Sequence, residues 1–181
     1  QNATIFKVAL EIADIDRAYY HDHALTIARH PSETDERMMV RLLAFARHAH
    51  EALAFGRGLG TDDEPDLWQK DLTGVIDLWI SVGLPDERWV RKAAGRARRV
   101  VVLAYGDRVA DVWWEQNSGT LKRLQNLSVL RLDAATVATL GAMARRNMAV
   151  QCTVQDGEAL FSSDNDSLRI EPEILLRAQG A

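Results

Sequence analysis

Residues 62 to 99 read DDEPDLWQKDLTGVIDLWISVGLPDERWVRKAAGRARR. Two strand-like runs within this stretch, 64–70 and 75–82, flank the turn Asp71-Leu72-Thr73-Gly74 and predict a β-hairpin. Pro85-Asp86-Glu87 then begins a predicted helix that extends to about Arg98. The apolar run at 100–105 is typical of a buried strand. A hairpin, a helix and a buried strand in this order predict an α/β fold.

The residues before this stretch predict two strands and a long helix. Apolar and polar side chains tend to alternate over 3–12 and 23–30, as they do on half-buried strands. Pro31 ends the second strand, and Ser32 is the predicted N-cap of a helix that extends to about Phe55. The apolar side chains of this helix form one continuous arc at the helical period, so one face is predicted to pack on a core.

The residues after this stretch predict further alternation of strands and helices. We expect a strand or short helix at 109–115, a short helix at 121–127, a strand at 128–132 and a helix at 134–146. The tail at 149–176 predicts a small antiparallel sheet. The sequence contains no internal repeat and no linker-like stretch. We therefore expect a single α/β domain over 1–181, with β additions at both ends.

Composition restricts the class of protein. The chain has 181 residues, 47% of them hydrophobic, and a formal net charge of -4. This charge argues against a surface that binds polyanions everywhere, although it allows a local basic patch. Cys152 is the only cysteine, which excludes an intramolecular disulfide and a cysteine-based zinc cage. Without a long apolar run or a signal-peptide pattern, we expect a soluble, cytoplasmic chain with no membrane partner.

Acidic residues cluster at the predicted hairpin. The first strand follows Asp62-Asp63-Glu64-Pro65-Asp66, and the second strand contains Asp77. Carboxylates that converge from a hairpin can bind Mg²⁺, which prefers oxygen ligands, and a nearby lysine can neutralise a phosphoryl charge in the transition state. This pattern indicates metal-assisted phosphodiester hydrolysis. The alternative is that these acids lie in a solvated surface loop, as acids in loops commonly do.

Basic residues follow on the predicted helix. At 3.6 residues per turn, Arg88, Lys92, Arg96 and Arg99 fall within about 80° of arc beside the apolar face. Such a stripe can hold an anionic partner. The alternative is again a solvated charged face.

Several strings of the sequence resemble one family of bacterial proteins, the YaeQ family. They are Leu25-Thr26-Ile27-Ala28-Arg29-His30-Pro31-Ser32-Glu33-Thr34 with Glu36-Arg37-Met38-Met39, Asp62-Asp63-Glu64-Pro65, Asp77-Leu78-Trp79-Ile80 with Gly83-Leu84-Pro85-Asp86-Glu87, and Val154-Gln155-Asp156-Gly157. The resemblance covers nearly the whole chain. It implies a restriction-endonuclease-like fold, a variant of the PD-(D/E)XK nuclease core over about 32–132, with an N-terminal β-hairpin and a C-terminal antiparallel extension.

The resemblance also implies roles for individual residues. Glu36 matches the acid of the first core helix, and Glu64 or Asp66 matches the acid at the head of the first hairpin strand. The second strand of the nuclease motif carries an acid, any residue, then lysine, whereas this chain has Ser81-Val82-Gly83. We expect relatives to carry an acid at position 81, which a serine cannot replace. Lys92 would supply the missing lysine from the following helix.

Two hypotheses about function follow. The first is a nucleic-acid-binding, anion-binding or regulatory protein with an impaired catalytic site, in which Arg88, Arg96 and Arg99 bind the anion. Its basis is Ser81, which removes a carboxylate from the nuclease pattern.

The second hypothesis is a Mg²⁺-dependent nuclease or phosphodiesterase. Glu64, Asp66 and Asp77 would then be the metal ligands, and Lys92 and Glu36 would be catalytic. Asp77 lies roughly 13 Å from position 81 along the strand, so it replaces the missing acid only in a shifted site. Substrate and oligomeric state are not predicted.

Overall fold

The structure, a computed structural model, describes residues 2–58, 63–164 and 166–180. Its elements follow in chain order: β1 (Thr4–Asp14), β2 (Tyr19–Arg29), α1 (Asp35–Arg47), β3 (Leu53–Phe55), β4 (Leu67–Lys70), β5 (Ile76–Val82), α2 (Glu87–Arg96), β6 (Ala97–Tyr105), α3 (Arg108–Leu121), β7 (Leu127–Leu132), α4 (Ala134–Ala142), β8 (Asn147–Gln155), β9 (Glu158–Ser163), β10 (Asp166–Ile170) and β11 (Glu173–Leu176). This mixture of helices and strands confirms the predicted α/β class.

The chain divides into two compact units. Unit 1 consists of residues 1–49 and 135–172, and unit 2 consists of residues 50–134 and 173–181. Each unit contains one mixed sheet. Because compactness does not decide whether the units fold separately, the single domain stays a prediction.

The sheet of unit 1 has the strand order β10-β9-β8-β1-β2. Strand β1 pairs with β2 in antiparallel register, Leu10 opposite His23, and with β8 in parallel, Lys7 opposite Asn147. The even residues of β1 from position 6 to 14 are buried, whereas its neighbouring side chains are mostly exposed. One face of the sheet therefore packs on the core of unit 1, and the other face is solvated.

Helix α1 packs against β1 and β2 in unit 1. Its N-cap is Thr34 instead of the predicted Ser32, and the Thr34 hydroxyl accepts the Arg37 N–H. Every residue from 38 to 46 is buried, so this part of the helix is enclosed on all sides instead of on the one predicted face. The buried Arg41 donates to both carboxylate oxygens of Glu33 and to the Ala28 carbonyl. Arg37 also binds Glu33, 2.7 Å away. A buried arginine is therefore paired within its own unit, as its charge requires.

The sheet of unit 2 has the strand order β11-β7-β6-β5-β4-β3. Strands β5, β6 and β7 are parallel, and α2 and α3 form the connections between them. These two helices contact each other and share one apolar cluster with the sheet, which includes Trp79, Val90, Val100 and Trp113. Strand β4 pairs antiparallel with β5, which confirms the predicted hairpin.

Three predicted helix C-termini are wrong. Helix α4 ends at Ala142 instead of Arg146. Helix α1 ends at Arg47 instead of about Phe55, because residues 53–55 form β3 and pair with β4. Helix α2 ends at Arg96 instead of about Arg98, because Ala97 is extended and pairs with Ile76. Strand pairing outweighs the helical period at the ends of α1 and α2, and Arg99 therefore lies in a strand.

Two further predictions need correction. Residues 121–127 form no separate helix, because α3 extends from Arg108 to Leu121 and β7 begins at Leu127. The tail is not one separate antiparallel sheet. Strand β9 pairs antiparallel with both β8 and β10, but β8 also joins β1, and β11 joins β7 in the sheet of unit 2.

Among the described helices, none combines the length and the apolar character that crossing a bilayer requires.

Candidate functional site

The hairpin of β4 and β5 positions the predicted acids of unit 2. Trp68 lies opposite Trp79, and the register shifts between Gln69 and Lys70. Asp66 directly precedes β4, Asp77 lies near the start of β5, and Ser81 lies near its end. Asp62 lies outside the described residues.

Asp66 is buried and bonded to the backbone. Only 5% of its surface is exposed, and its Oδ2 accepts the Val82 N–H at 2.7 Å. A Cβ on Gly58, where φ is +51°, would lie 2.4 Å from the Asp66 Oδ1, so only glycine allows the loop to approach this closely. The carboxylate therefore fastens the head of β4 to the end of β5.

Glu64 and Asp77 each have an arginine partner. The Arg57 side chain approaches Glu64 to 2.6 Å, and its hydrogen bond lowers the pKa of the Glu64 carboxyl. Arg98 lies 3.5 Å from Asp77. Both carboxylates are thus engaged by guanidinium groups of unit 2.

Glu36 belongs to unit 1, where it is exposed in the first turn of α1. A Cβ on Gly141 would lie 2.5 Å from the Glu36 Cγ, so the glycine of α4 allows the two elements to approach. The other predicted site residues belong to unit 2. A shared site that includes Glu36 therefore stays a prediction.

Among its described residues, unit 2 does not bring its acids together as a group of metal ligands. Within residues 2–58, 63–164 and 166–180, no three His, Cys, Asp or Glu side chains are grouped to hold one ion. Asp66 is covered, Asp77 and Glu64 pair with arginines, and Ser81 offers a neutral hydroxyl. We derive no metal-dependent step from these residues, and a bound Mg²⁺ stays a prediction.

Lys92 lies on α2 and is exposed. Its Nζ lies 5.5 Å from the centroid of the Trp89 ring, and no ion pair of Lys92 occurs within the part of the chain that the structure describes. Trp89 is itself 38% exposed. An accessible cation and an accessible indole thus lie side by side on one helix.

All five tryptophans of the chain lie in unit 2. Beside four of them, a lysine or arginine side chain lies within about 6 Å of the ring centroid, the range of a cation–π interaction. The distances to the ring centroids are 3.8 Å for Lys70 and Trp68, 5.1 Å for Arg96 and Trp79, 5.5 Å for Lys92 and Trp89, and 6.0 Å for Lys122 and Trp114. We call these eight residues the tryptophan–cation surface, in which the buried Trp79 takes part through the exposed Arg96 above it.

Trp68, Trp79 and Trp114 of this surface belong to the apolar cluster under α2 and α3 or pack against it. Trp68 and Trp79 meet edge to face, with ring centroids 6.0 Å apart. The fixed tryptophans therefore hold their rings in a defined arrangement, while Trp89 presents the most exposed ring.

The predicted basic stripe is only partly on α2. Arg88, Lys92 and Arg96 lie on the helix four residues apart, whereas Arg99 lies in β6 opposite Leu78. Arg88 pairs with the N-cap residue Asp86 at 3.1 Å, and this hydrogen bond lowers the pKa of the Asp86 carboxyl. The anion-binding roles of Arg88, Arg96 and Arg99 are not tested by these positions and stay predictions.

The segment from 88 to 99 is nevertheless strongly basic. It contains six Arg or Lys residues and no Asp or Glu. Arg96 donates to the Asp63 carbonyl at 3.3 Å while it covers Trp79. Three of these six cations, Arg88, Arg91 and Arg98, pair with the acids Asp86, Glu87 and Asp77. Within the described residues, the other three, Lys92, Arg96 and Arg99, have no ion pair.

Comparison with known proteins agrees with the resemblance in the sequence. The family model described as "YaeQ protein" matches residues 1–172. The chain belongs to the YaeQ family. The "Uncharacterized protein YaeQ" of Escherichia coli (strain K12) is 47% identical over 168 residues, which is 93% of each chain. The YaeQ protein of Salmonella typhi is 47% identical over 169 residues, again 93% of each.

Solved structures of YaeQ proteins have the same fold. The crystal structure from Xanthomonas axonopodis pv. citri matches with a TM-score of 0.93 and 48% identity, over 96% of this chain and 98% of that one. The crystal structure from Pseudomonas syringae matches with a TM-score of 0.93 and 35% identity, over 98% of each chain. The two mixed sheets described above are therefore the YaeQ fold.

Sequence reasoning missed most of the tryptophan–cation surface. The spacing Trp89 to Lys92 is visible, since residues three apart are neighbours on a helix. The spacing Trp68 to Lys70 is also visible, since alternate strand residues share a face. Arg96 over Trp79 depends on tertiary packing, so no local signal could reveal it.

Proposed function

We propose that this YaeQ-family chain binds single-stranded nucleic acid through the tryptophan–cation surface of unit 2. The observation that carries the proposal is the repeated pairing of an indole ring with a lysine or arginine, beside a segment with six cations and no acid. Single-strand binders combine positive charge along the backbone path with aromatic rings on which bases stack.

Each part of the surface has a chemical task in this proposal. Trp89, which is 38% exposed, offers a ring face to an unstacked base. Lys92 beside it, with no carboxylate partner in the described residues, contacts a phosphate. Arg96 is held by the Asp63 carbonyl and Trp79, so it offers charge at a fixed position. In duplex DNA the base faces are already stacked on one another, so a duplex would gain only the electrostatic attraction between its phosphates and the cations.

The chain would carry this surface on a restriction-endonuclease-like scaffold with an impaired catalytic site. The order α1, β3, β4, β5, α2, β6 agrees with the helix, hairpin-bearing sheet and second helix that the family resemblance implies. Ser81 in place of an acid, and the paired states of Asp66 and Asp77, support binding in preference to catalysis. Fold alone would not decide this point.

The test is a fluorescence-anisotropy titration of a labelled, mixed-sequence single strand at several salt concentrations. We expect Trp89→Ala to weaken binding by roughly 5-fold to 150-fold, because stacking contributes about 1–3 kcal/mol per base. We expect Lys92→Gln to reduce the slope of log affinity against log salt by about 0.7, the value for one phosphate contact on a single strand. Trp89→Ala should leave that slope unchanged.

Arg145→Gln is the matched control, because it removes one exposed cation from unit 1 and should alter neither quantity. Salt-insensitive binding, equal binding of duplex and single strand, or an unchanged affinity in both variants would refute the proposal. Inorganic polyphosphate is added as a competitor to detect a general anion site. At such a site it would displace the labelled strand as effectively as an unlabelled oligonucleotide does. Robust Mg²⁺-dependent cleavage, lost in Lys92→Ala, would instead establish the nuclease or phosphodiesterase.

A further inference from the structure

Strand β2 is the edge of the unit 1 sheet. It pairs with β1 over eleven consecutive residues without a register shift, and no described strand pairs with its other side. Edge strands in natural proteins are usually short, bulged, capped by proline or covered by another element, because open edges invite further pairing. The stretch from 20 to 26 has no proline, lysine or bulge.

The register identifies which backbone groups face outward. The Lys7 N–H donates to the Arg146 carbonyl, on the side of β1 where β8 lies. Thr26 lies opposite Lys7 on β2, so the Thr26 N–H and C=O point away from β1. The same holds for every second residue, namely Tyr20, Asp22, Ala24 and Ala28. The Ala28 carbonyl accepts Arg41 of α1, which agrees with this direction.

Arg41 also limits the open run. Because it occupies the Ala28 carbonyl, the outward groups without a described partner are those of Tyr20, Asp22, Ala24 and Thr26. This run is symmetric about His23. In an antiparallel pair of two identical runs, Tyr20 would face Thr26 and Asp22 would face Ala24, and every outward N–H and C=O of the four residues would be used.

The exposed face beside this edge provides a second complementary feature. An open trough of about 590 Å³ is lined by Lys7, Ala9, Ala24, Thr26 and Ala149, among others. The alanines lie side by side on three adjacent strands, Ala24 opposite Ala9 and Ala9 opposite Ala149. Their short side chains leave the space.

Tyr20 lies on the same exposed face and is 58% exposed. In the symmetric pairing, the Tyr20 ring of one copy stands beside Thr26 of the other, at the margin of its trough. Each copy would bury its exposed aromatic ring against the apolar side chains of its partner.

We propose that two copies of this chain associate through antiparallel pairing of their β2 edges, with His23 opposite His23 on the two-fold axis and Tyr20 at the margin of the partner's trough. A second copy suits this edge because it brings the exposed Tyr20 of each chain beside Thr26 and the trough of the other. The pairing joins two five-stranded sheets into one. It is independent of the proposed nucleic-acid surface, which lies in unit 2.

The first test is sedimentation velocity of the full chain over a wide concentration range. We expect a reversible dimer that weakens at least tenfold in Ala24→Pro, because proline removes an outward N–H and its ring obstructs pairing, while an edge strand tolerates it. Ala28→Pro is the matched control. It places the same ring on the same side of β2, beyond the paired run, and should leave association unchanged. Tyr20→Ser, which alters no backbone bond, should also weaken the dimer.

The second test fixes the register. Opposed residues of a non-hydrogen-bonded pair have Cα atoms about 4.5 Å apart, within the range of a disulfide. His23→Cys should therefore form a covalent dimer under mild oxidation, whereas His21→Cys, which would face Leu25, should not. The parent chain is the blank, because burial raises the pKa of its only thiol, Cys152, to about 11.

A monomer at every concentration, or a dimer that persists in Ala24→Pro and Tyr20→Ser, would refute this interface. Equal cross-linking of the cysteines at 21 and 23 would refute the register. A monomer whose β2 amides become protected only with an added foreign strand would assign the edge to another protein.

Discussion

Substitution of Asp66 tests whether this residue has a structural or a metal-binding role. With Pro65 it matches the letters PD of the PD-(D/E)XK motif. The side chain is 5% exposed, and its Oδ2 accepts the Val82 N–H at 2.7 Å. Gly58 lies close against the same side chain. Asp66→Ala leaves a buried N–H without its acceptor, which costs about 1–3 kcal/mol, in addition to the lost charged hydrogen bond of about 1.5–3 kcal/mol. Since these contributions overlap, we expect a loss of roughly 2–4 kcal/mol.

Asp66→Asn is the matched variant, because its amide oxygen can still accept the Val82 N–H. We expect a loss of only about 1 kcal/mol there. In a chain of this size, the alanine variant should melt roughly 4–15 °C lower and the asparagine variant a few degrees lower. Urea denaturation followed by circular dichroism measures both free energies, and an unchanged m-value shows that the folded state is comparable.

Equal losses in the two variants would contradict the hydrogen-bond argument, and a harmless alanine would show that the contact contributes nothing. The metal role has a separate signature. If Asp66→Asn keeps the free energy of unfolding but abolishes the heat of a Mg²⁺ titration seen with the parent chain, then Asp66 is a ligand.

Three further predictions concern other buried or fixed groups. Glu33→Ala should lower the free energy of unfolding by about 3–5 kcal/mol in denaturant titrations, because it strands the buried Arg41 charge, and adding Arg41→Met should restore part of that loss. Gly141→Ala should lower the free energy of unfolding by about 1–3 kcal/mol, since the new Cβ would lie 2.5 Å from the Glu36 Cγ and 3.1 Å from the Glu36 Cα. Gly119→Ala is the control, because open space surrounds its Cβ, and it should not destabilise the protein. Backbone hydrogen bonds from Gly157 and Asp156 lower the pKa of Asp16 below its usual 3.8, so its contribution to stability is present above that pH and is lost as the pH falls through the lower folded value. Asp16→Asn should therefore flatten the acid limb of a stability–pH curve, and an identical limb in both chains would contradict this assignment.

Local signals predicted the hairpin and α2 well, because turn and cap residues mark where these elements begin and end. The turn Asp71-Leu72-Thr73-Gly74 separates two β-type runs, and Asp86 supplies an N-cap. The apolar arc of α1 predicted the helix but only one buried face, whereas its residues 38–46 are all buried. These elements satisfy local and tertiary demands together.

The remaining elements depend on partners distant in sequence. No glycine or proline near Arg47 marks the end of α1, yet residues 53–55 leave the helical pattern and pair with β4 as β3. The short β11 exists because β7 is available beside it. The candidate acids were found by type and position, but their partners Arg57, Arg98 and the Val82 amide arise from packing that a single sequence does not encode locally.

The parallel pairing of β1 with β8 has a consequence for synthesis of the chain on the ribosome. Lys7 meets Asn147, so the central strand of the sheet receives its second neighbour only after most of the polypeptide has been made. Until then the N-terminal hairpin has two open edges, and a two-stranded hairpin alone is marginally stable in water. Closing so long a loop is slow and leaves pairing groups exposed meanwhile. A nascent YaeQ-family chain therefore keeps one edge of β1 unpaired until β8 emerges, and truncation before Asn147 would leave that edge open permanently.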